Sequence, residues 1–595
     1  MRNENKDLVR PSRDGDQFHY IKAARLCLQL LRPGSELHAV TVEGAADGDL
    51  KGGEDVIDLA LYWGGDDLSS AQRVSYRQFK HSTRHPEKEM TASGLIKTLK
   101  GYAVRHKELV MRFGKDDVEK RIVFEFETNR PVASSAKDAI KALCEVDSQT
   151  TQSQSERYLR AQLAPLTPHL QAFARSLKII DRSDGFLSQR RQLQQDFKSY
   201  LPDADKDAPI QLKDLVARKA TSEFEDNFSI TRLDVLECLG TSEEELFPAP
   251  NLIEQIEKIV PREDAQRIAD EIEESAGTLI IQADGGVGKS ILTQQLQDHL
   301  PAGSRTVVYD CFGNGGYRSL SEYRHGARVG LVQVANELAT AGLCDPLIPS
   351  NKSDDIAFAR AFKSRVMQAS QAISSDGSEL LVLIFDAADN SEMASEEAGD
   401  GPSFIRPLLR ECWPENVRIV VTARPHRTKL LRPGPNTRIV DLAPFSLEET
   451  ARNLRLHFPS AKDADTIEFH RLTSQNPRVQ AAAISSGMSL AEVLSSLGHS
   501  PKTVDDTIAM LLEEAVSKVR DSPSRIEQDQ IDSVCVALAT LRPFVPLEIV
   551  GATAGVDVHL VRSIANDLQR PLLVREDSIQ SVSYTHLRAH ETRHD

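Results

Sequence analysis

TLIIQADGGVGKSILTQQL, Thr278 to Leu296, is the stretch on which the reading of this chain turns. An apolar, strand-like run passes into a glycine-rich loop, and a helical pattern begins at the lysine. That order suits one task. Backbone N–H groups must converge on a phosphate, and side chains in place of Gly285, Gly286 and Gly288 would obstruct them. The start of the helix adds a partial positive charge. In the pattern G-x-x-x-x-G-K-[ST], the lysine, here Lys289, reaches the outer phosphates, and the hydroxyl, here Ser290, ligates Mg²⁺. The candidate phosphate cradle is therefore Ala283, Asp284, Gly285, Gly286, Val287, Gly288, Lys289 and Ser290, with ATP and Mg²⁺ as the expected cofactors. Ala283 stands where the pattern has its first glycine and reads as a variant of the loop. The competing reading, a glycine-rich turn with a surface lysine, leaves the flanking strand and helix unexplained.

Two later strands support the cradle. SELLVLIFDAADN, 378–390, is a continuous apolar run ending in Asp386, where a Mg²⁺-holding carboxylate belongs beside such a loop. Asp389 either positions an attacking water or caps a turn. RIVVTARPH, 418–426, ends at Arg424, which is placed to face a terminal phosphate. Strand and helix alternate from about Leu252 onward, the rhythm of a parallel sheet with helices on both faces. From Ser446 the chain reads as helical.

Bulk properties set limits. A chain of 595 residues holds several domains. A run of about 20 apolar residues, the length needed to span a membrane, is missing, and so is the apolar core of a signal peptide at the N-terminus. The expectation is a cytoplasmic protein with no membrane partner. The seven cysteines include no Cys-x-x-Cys pair, so zinc-ribbon and dithiol chemistry have no support. A net charge of −16 argues against wholesale coating of nucleic acid but permits a local basic surface.

The N-terminal segment carries a second chemical pattern. A helix, FHYIKAARLCLQLL, precedes the strand-like runs HAVTVEG, DVIDLALYW, VSYRQF and RIVFEFET. Nucleases of the PD-(D/E)xK type place an acid on one strand and an acid or amide two residues before a lysine on its hairpin partner. Such acids hold Mg²⁺, which activates water, while the lysine adds charge. Gln78 and Lys80 lie two apart and share one side of a strand. With a hairpin turn near Asp67, Asp55 is expected opposite them, and Asp58, on the other face, is the second candidate. Glu43 offers a further metal ligand, and Gln17 is a weaker candidate. Between Gln72 and Lys107 there are nine Lys or Arg residues and two acids, an excess suited to a phosphate backbone.

These motifs carry a family resemblance. The order ADGGVGKS, LIFDAADN, VVTARP, LAPFSLEET and SQNPRV resembles the STAND class of signalling NTPases, and residues 307–349 resemble bacterial antiviral STAND proteins of the Avs type. The N-terminal segment resembles the nuclease effector domains of such proteins and of cyclic-nucleotide-activated defence nucleases. The resemblance implies a small restriction-endonuclease-like α/β domain (1–135), a helical spacer (136–250), a P-loop NTPase core with a parallel sheet (251–445) and a helical lid with a winged-helix module (446–580). It implies ATP-dependent homo-oligomerisation, double-stranded DNA as substrate and a phage protein as trigger. Residues 581–595, SVSYTHLRAHETRHD, have an unrelated composition and read as a non-native tail, so that a C-terminal sensor is expected to be missing. The alternative is a STAND-type regulator whose N-terminal domain is a non-catalytic interaction module.

Overall fold

The computed structural model describes residues 4–581 except 46, 49, 146–151, 203–206, 222, 224–227, 257, 276, 320–321, 350–352, 374–378, 486–487, 504–505, 507–527, 542–544, 569–571 and 576–577. The chain forms two compact units, one of residues 1–246 with 339–361, the other of 247–338 with 362–595. Residues 582–595, most of the expected non-native tail, lie outside the described residues.

The first unit is built on six strands: β1 (Leu37–Val42), β2 (Leu59–Trp63), β3 (Arg73–Lys80), β4 (Ile122–Thr128), β5 (Leu177–Ile180) and β6 (Ser229–Thr231), in the order β5-β4-β3-β2-β1-β6. β1, β2 and β3 form an antiparallel meander, and β4 and β5 continue the sheet parallel to β3. Helix α1 (Glu4–Cys27) precedes the sheet, and α2 (Ala92–Phe113) makes the crossover from β3 to β4. Alternation puts Tyr76 and Phe124 into the core shared with Tyr102 of α2, with ring centroids 5.5 and 4.9 Å apart.

Two expectations are corrected here. Residues 136–250 are not a separate spacer, because LKII and SIT supply β5 and β6, the two edges of the N-terminal sheet. At four and three residues they are too short to show strand alternation. Residues 339–361, expected in the NTPase core, group with the first unit.

The second unit holds a five-stranded parallel sheet: β7 (Thr278–Gln282), β8 (Arg305–Asp310), β9 (Leu381–Asp386), β10 (Val417–Ala423) and β11 (Arg438–Asp441), in the order β11-β7-β10-β9-β8. β9 and β10 are buried along their whole length, as their mainly apolar sequences demand, with Asp386, Arg418 and Thr422 the buried polar exceptions. Helices Leu447–His457, Asp463–Leu472, Pro477–Ile484 and Leu490–Leu497 follow. Three further helices, Gln528–Thr540, Leu547–Ala554 and Val558–Leu568, precede a hairpin of β13 (Leu572–Arg575) and β14 (Ser578–Ser581), with β12 (Val545–Pro546) paired to β14. Among the described residues no helix is long and apolar enough to cross a membrane.

Candidate functional site

The phosphate loop leaves β7 at Ala283, whose N–H donates to the Ala423 carbonyl on β10 at 3.2 Å. Ala283 is buried and has no positive φ, so the first position does not require glycine. The conformational demand falls on Gly286 and Gly288, at φ +80° and +99°. Val287 is buried between them, and Asp284 is exposed. The helix Lys289–Gln295 starts as expected. The Lys289 ammonium donates to the carbonyls of Ala283 and Asp284 at 2.6 and 3.0 Å, which folds it over the loop. Burial holds its pKa below the ordinary lysine value, against the pull of Asp386 and Asp389.

β9 delivers Asp386 to the same place. Its carboxylate accepts from the Ser290 hydroxyl at 2.5 Å and from the Thr422 hydroxyl of β10 at 2.6 Å. Burial raises its pKa, and the two hydroxyls oppose that shift. A hydroxyl from the phosphate loop touching a buried strand-end carboxylate is the donor set that Mg²⁺ takes in P-loop proteins, so the residues fit the ion. Asp389 lies in the first turn of the helix Ala388–Ala398, buried and 3.4 Å from Arg427. Arg424 follows β10 directly, and its charge reaches both Lys289 and Arg478. Three cations thus gather around one loop, an arrangement that a polyphosphate would neutralise.

Arg262, which the sequence motifs do not mark, joins Phe445 and Glu449 of LAPFSLEET in completing this site. Arg262 is buried, stacks over Phe445 at 4.9 Å, pairs with Glu449 at 3.2 Å and donates to the Val287 carbonyl at 2.9 Å. Beside the loop lies a cavity of about 560 Å³, lined by Ile256, Val260, Ile291, Phe445, Pro477 and Ile484 among others. It is mainly apolar, with Lys258, Arg262, Asn453 and His457 also in its lining, and large enough for a purine base.

In the first unit, the β2–β3 register pairs Leu59 with Arg77, which sets Asp58 beside Gln78. The Asp58 N–H donates to the Arg77 carbonyl at 2.9 Å, and its carboxylate accepts from the Phe79 N–H at 2.7 Å. His19 of α1 lies 3.6 Å from both Asp58 and Glu43. Glu43 itself is held in the left-handed region at φ +56°. Burial drives the Asp58 pKa up to about 6, Glu43 adds to the rise, and His19 and Lys80 oppose it. Burial would lower the His19 pKa, but the two carboxylates outweigh it and the net shift is upward.

The expected pairing of Asp55 with Gln78 and Lys80 is corrected. Asp55 sits on a single 3-10 turn, Glu54–Val56, with its side chain 70% exposed and 3.9 Å from Lys97. Gly53, in the left-handed region at φ +70°, leads into that turn and lies close against α2. A Cβ at Gly53 would meet the Gly101 carbonyl at 2.2 Å. Gln78 is buried, and its amide oxygen accepts from the Thr98 hydroxyl of α2. Gln17 accepts from Lys213. Among the described residues, no three His, Cys, Asp or Glu side chains converge as a ready-made metal site. Asp58 and Glu43 supply two carboxylates, enough for a divalent ion that completes its shell with water and substrate phosphate.

Residues 277–461 match the NACHT domain. No curated protein matches the chain. Among solved structures, the chain is similar to a signal transduction ATPase with numerous domains (STAND) and a tetratricopeptide repeat sensor from Pyrococcus horikoshii. That likeness has 13% identity and a TM-score of 0.30, over 57% of this chain and 44% of that one. The chain thus spans less than half the length of that relative. The Aeropyrum pernix ORC1 protein in complex with DNA matches at 12% identity and a TM-score of 0.27, over 59% of this chain and 96% of that one. A Thermotoga maritima RuvB variant matches at 15% and 0.22, over 55% and 95%. Residues 277–461, which match NACHT, carry the phosphate-loop geometry of a P-loop NTPase.

Proposed function

We propose that this chain is an ATP-dependent STAND switch of antiphage defence, whose first unit is a metal-dependent DNA endonuclease released by assembly. The observation that carries the nuclease reading is the meeting of Asp58 and Glu43 at His19 of α1, at the end of a three-stranded meander where the charge of Lys80 also reaches Asp58, beside a basic segment. That meander, followed by α2 and parallel β4, agrees with the restriction-endonuclease-like fold that the sequence resembles.

In this reading Asp58 and Glu43 hold the metal, and the bound ion supplies a polarised water and charge stabilisation at phosphorus. Asp58 is desolvated, which strengthens its interaction with any nearby cation. Lys80 places positive charge near the same carboxylate. Gln78 fixes the β3–α2 geometry through Thr98. In the second unit, Ser290 and Asp386 hold Mg²⁺, Lys289 binds the outer phosphates and Arg424 reads the terminal one. The three helices and hairpin of residues 528–581 agree with a winged-helix module. The trigger is a phage protein, the active form is a homo-oligomer, and the substrate is double-stranded DNA.

One observation favours the alternative of a non-catalytic interaction module. The Gln78 amide is turned to Thr98 and is not open toward Asp58. The two readings part on one experiment. Full-length protein with ATP, Mg²⁺ and lysate of phage-infected cells is given plasmid DNA. Cutting by wild type and its loss by at least a hundredfold in Lys80→Ala supports the nuclease. Assembled wild type that leaves DNA intact supports the interaction module.

A further inference from the structure

The three parallel strands of the first unit, β3, β4 and β5, end together. The register pairs Lys80 with Thr128 and Glu127 with Ile180. The residues just beyond them are stitched into one rim. The Ser82 N–H donates to the Asn129 side-chain oxygen at 2.9 Å, and the Asn129 amide donates back to the Ser82 carbonyl at 2.9 Å. The Arg182 N–H donates to the Arg130 carbonyl at 3.2 Å, and the Ser183 N–H to the Thr128 carbonyl at 3.0 Å. The carboxyl ends of parallel strands in α/β sheets are where ligands bind, and Lys80 stands at this rim.

Arg182 breaks the local rules. It is not a glycine, yet it sits in the left-handed region at φ +56°. Two consecutive N–H groups, those of Arg182 and Ser183, are bonded to β4 and its continuation, and these bonds hold the strained backbone in place. The guanidinium gains no partner from that position. Arg182 is exposed, and among the described residues its side chain makes no ion pair and no hydrogen bond. The neighbouring acids are already engaged. Asp181 accepts from the Val132 N–H at 3.0 Å and from Lys137 at 2.7 Å, and Asp184 accepts from the Gln192 amide at 2.6 Å. The next residue, Ser183, has a buried hydroxyl oxygen that also lacks a partner. An unpaired cation and an unsatisfied hydroxyl on one rim are groups that phosphate oxygens satisfy.

We propose that Arg182 is a substrate-binding residue of the nuclease, which holds a backbone phosphate of the DNA strand whose scissile phosphate lies at Lys80. The inference rests on the nuclease reading of Asp58 and Lys80. Neighbouring strands lie about 4.8 Å apart, so the end of β5 is about 10 Å from that of β3. A DNA strand rises about 3.4 Å per nucleotide, so the two contacts fall within about three nucleotides of each other. A backbone crossing the strand ends therefore meets Lys80 and Arg182 in turn. β5 then carries a substrate contact besides covering the edge of β4, and that contact lies outside the basic segment Gln72–Lys107. The strain at residue 182 follows from this role, because glycine would suit the backbone but would carry no charge.

The test uses full-length Arg182→Gly and Arg182→Ala. Both lose the charge, and only glycine relieves the left-handed strain. Binding of a fluorescently labelled DNA duplex is followed by anisotropy at low salt, with Ca²⁺ in place of Mg²⁺ so that the duplex stays intact. Melting of the DNA-free protein is measured alongside. Both variants are expected to bind about tenfold more weakly, with a salt dependence reduced by about one phosphate contact. The melting temperature of Arg182→Gly is expected at or above that of wild type, so that affinity falls while stability does not. Wild-type affinity in either variant overturns the inference and leaves the nuclease reading in place. So does weaker binding by Arg182→Gly joined to a lower melting temperature, since that marks a structural role. A wild-type protein that binds no duplex overturns the nuclease reading itself, and the inference with it.

Discussion

Asp58 shows how a functional position is kept at a cost in stability. Its carboxyl is mostly buried, and its pKa is raised to about 6. An acid whose folded-state pKa lies above the unfolded value of about 3.9 stabilises the fold while protonated. That contribution is fully present below about pH 4 and is lost as pH rises through about 6. Asp58→Asn removes the desolvated charge and keeps an oxygen for the Phe79 N–H. The expected outcome is a fold roughly 1–3 kcal/mol more stable at pH 7.5, with the gain shrinking toward pH 4, and no DNA cleavage. Thermal melts across that range check it, and a melting temperature that falls at pH 7.5 overturns it. Sequence alone could not choose this residue over Asp55. The choice depends on where β2 begins, and it begins at Leu59, beyond the turn that carries Asp55. The phosphate loop was legible because its chemistry requires adjacent residues. The contact of Asn476 was not, although the residue lies in SQNPRV, because its amide donates to the Gly285 carbonyl across 191 positions of chain.

At the scale of elements, the N-terminal sheet is closed on both sides by short strands. β5 covers the edge of β4, and β6 covers the edge of β1. The alternating runs of β1 to β4 could be read directly, whereas β5 and β6 gain their strand conformation from the edges they complete. An effector fragment cut at residue 135 exposes both edges, each a row of unpaired backbone groups. It also removes the helices Phe186–Tyr200 and Ala208–Lys219, whose Asp196 and Lys213 bond Arg25 and Gln17 of α1. The fragment 1–135 is therefore expected to aggregate on expression, while the full-length chain, which keeps both edge strands and residues 339–361, stays soluble. Size-exclusion chromatography and circular dichroism decide the matter, and a soluble, cooperatively melting 1–135 fragment overturns it.

Charge and nucleotide chemistry meet at the scale of the whole molecule. The chain carries a net charge of −16, yet the segment Gln72–Lys107 carries nine basic residues against two acids; Arg105 is buried against Asp47 and Glu54 and Arg77 pairs with Glu125, so the patch is formed by the other seven. A single basic patch on an acidic chain binds a DNA backbone weakly at physiological salt, because long-range repulsion opposes local attraction and few counterions are released. Linking several such patches makes each later contact intramolecular, which raises avidity by orders of magnitude without any new contact. Cleavage under the proposed function is therefore a property of the assembly. With ATP, Mg²⁺ and lysate of phage-infected cells, wild type is expected to shift to a larger species, and nuclease activity is expected in that fraction alone. Lys289→Ala, which removes the cation folded over the loop carbonyls, should remain monomeric and inactive even though its nuclease residues are intact. Light scattering coupled to chromatography, with each fraction assayed on plasmid at rising salt, reads both properties together. Activity of the assembled fraction should survive salt that abolishes monomer binding. Equal specific activity in the monomer fraction would show that the nuclease is not gated by assembly, and the switch would then need another output.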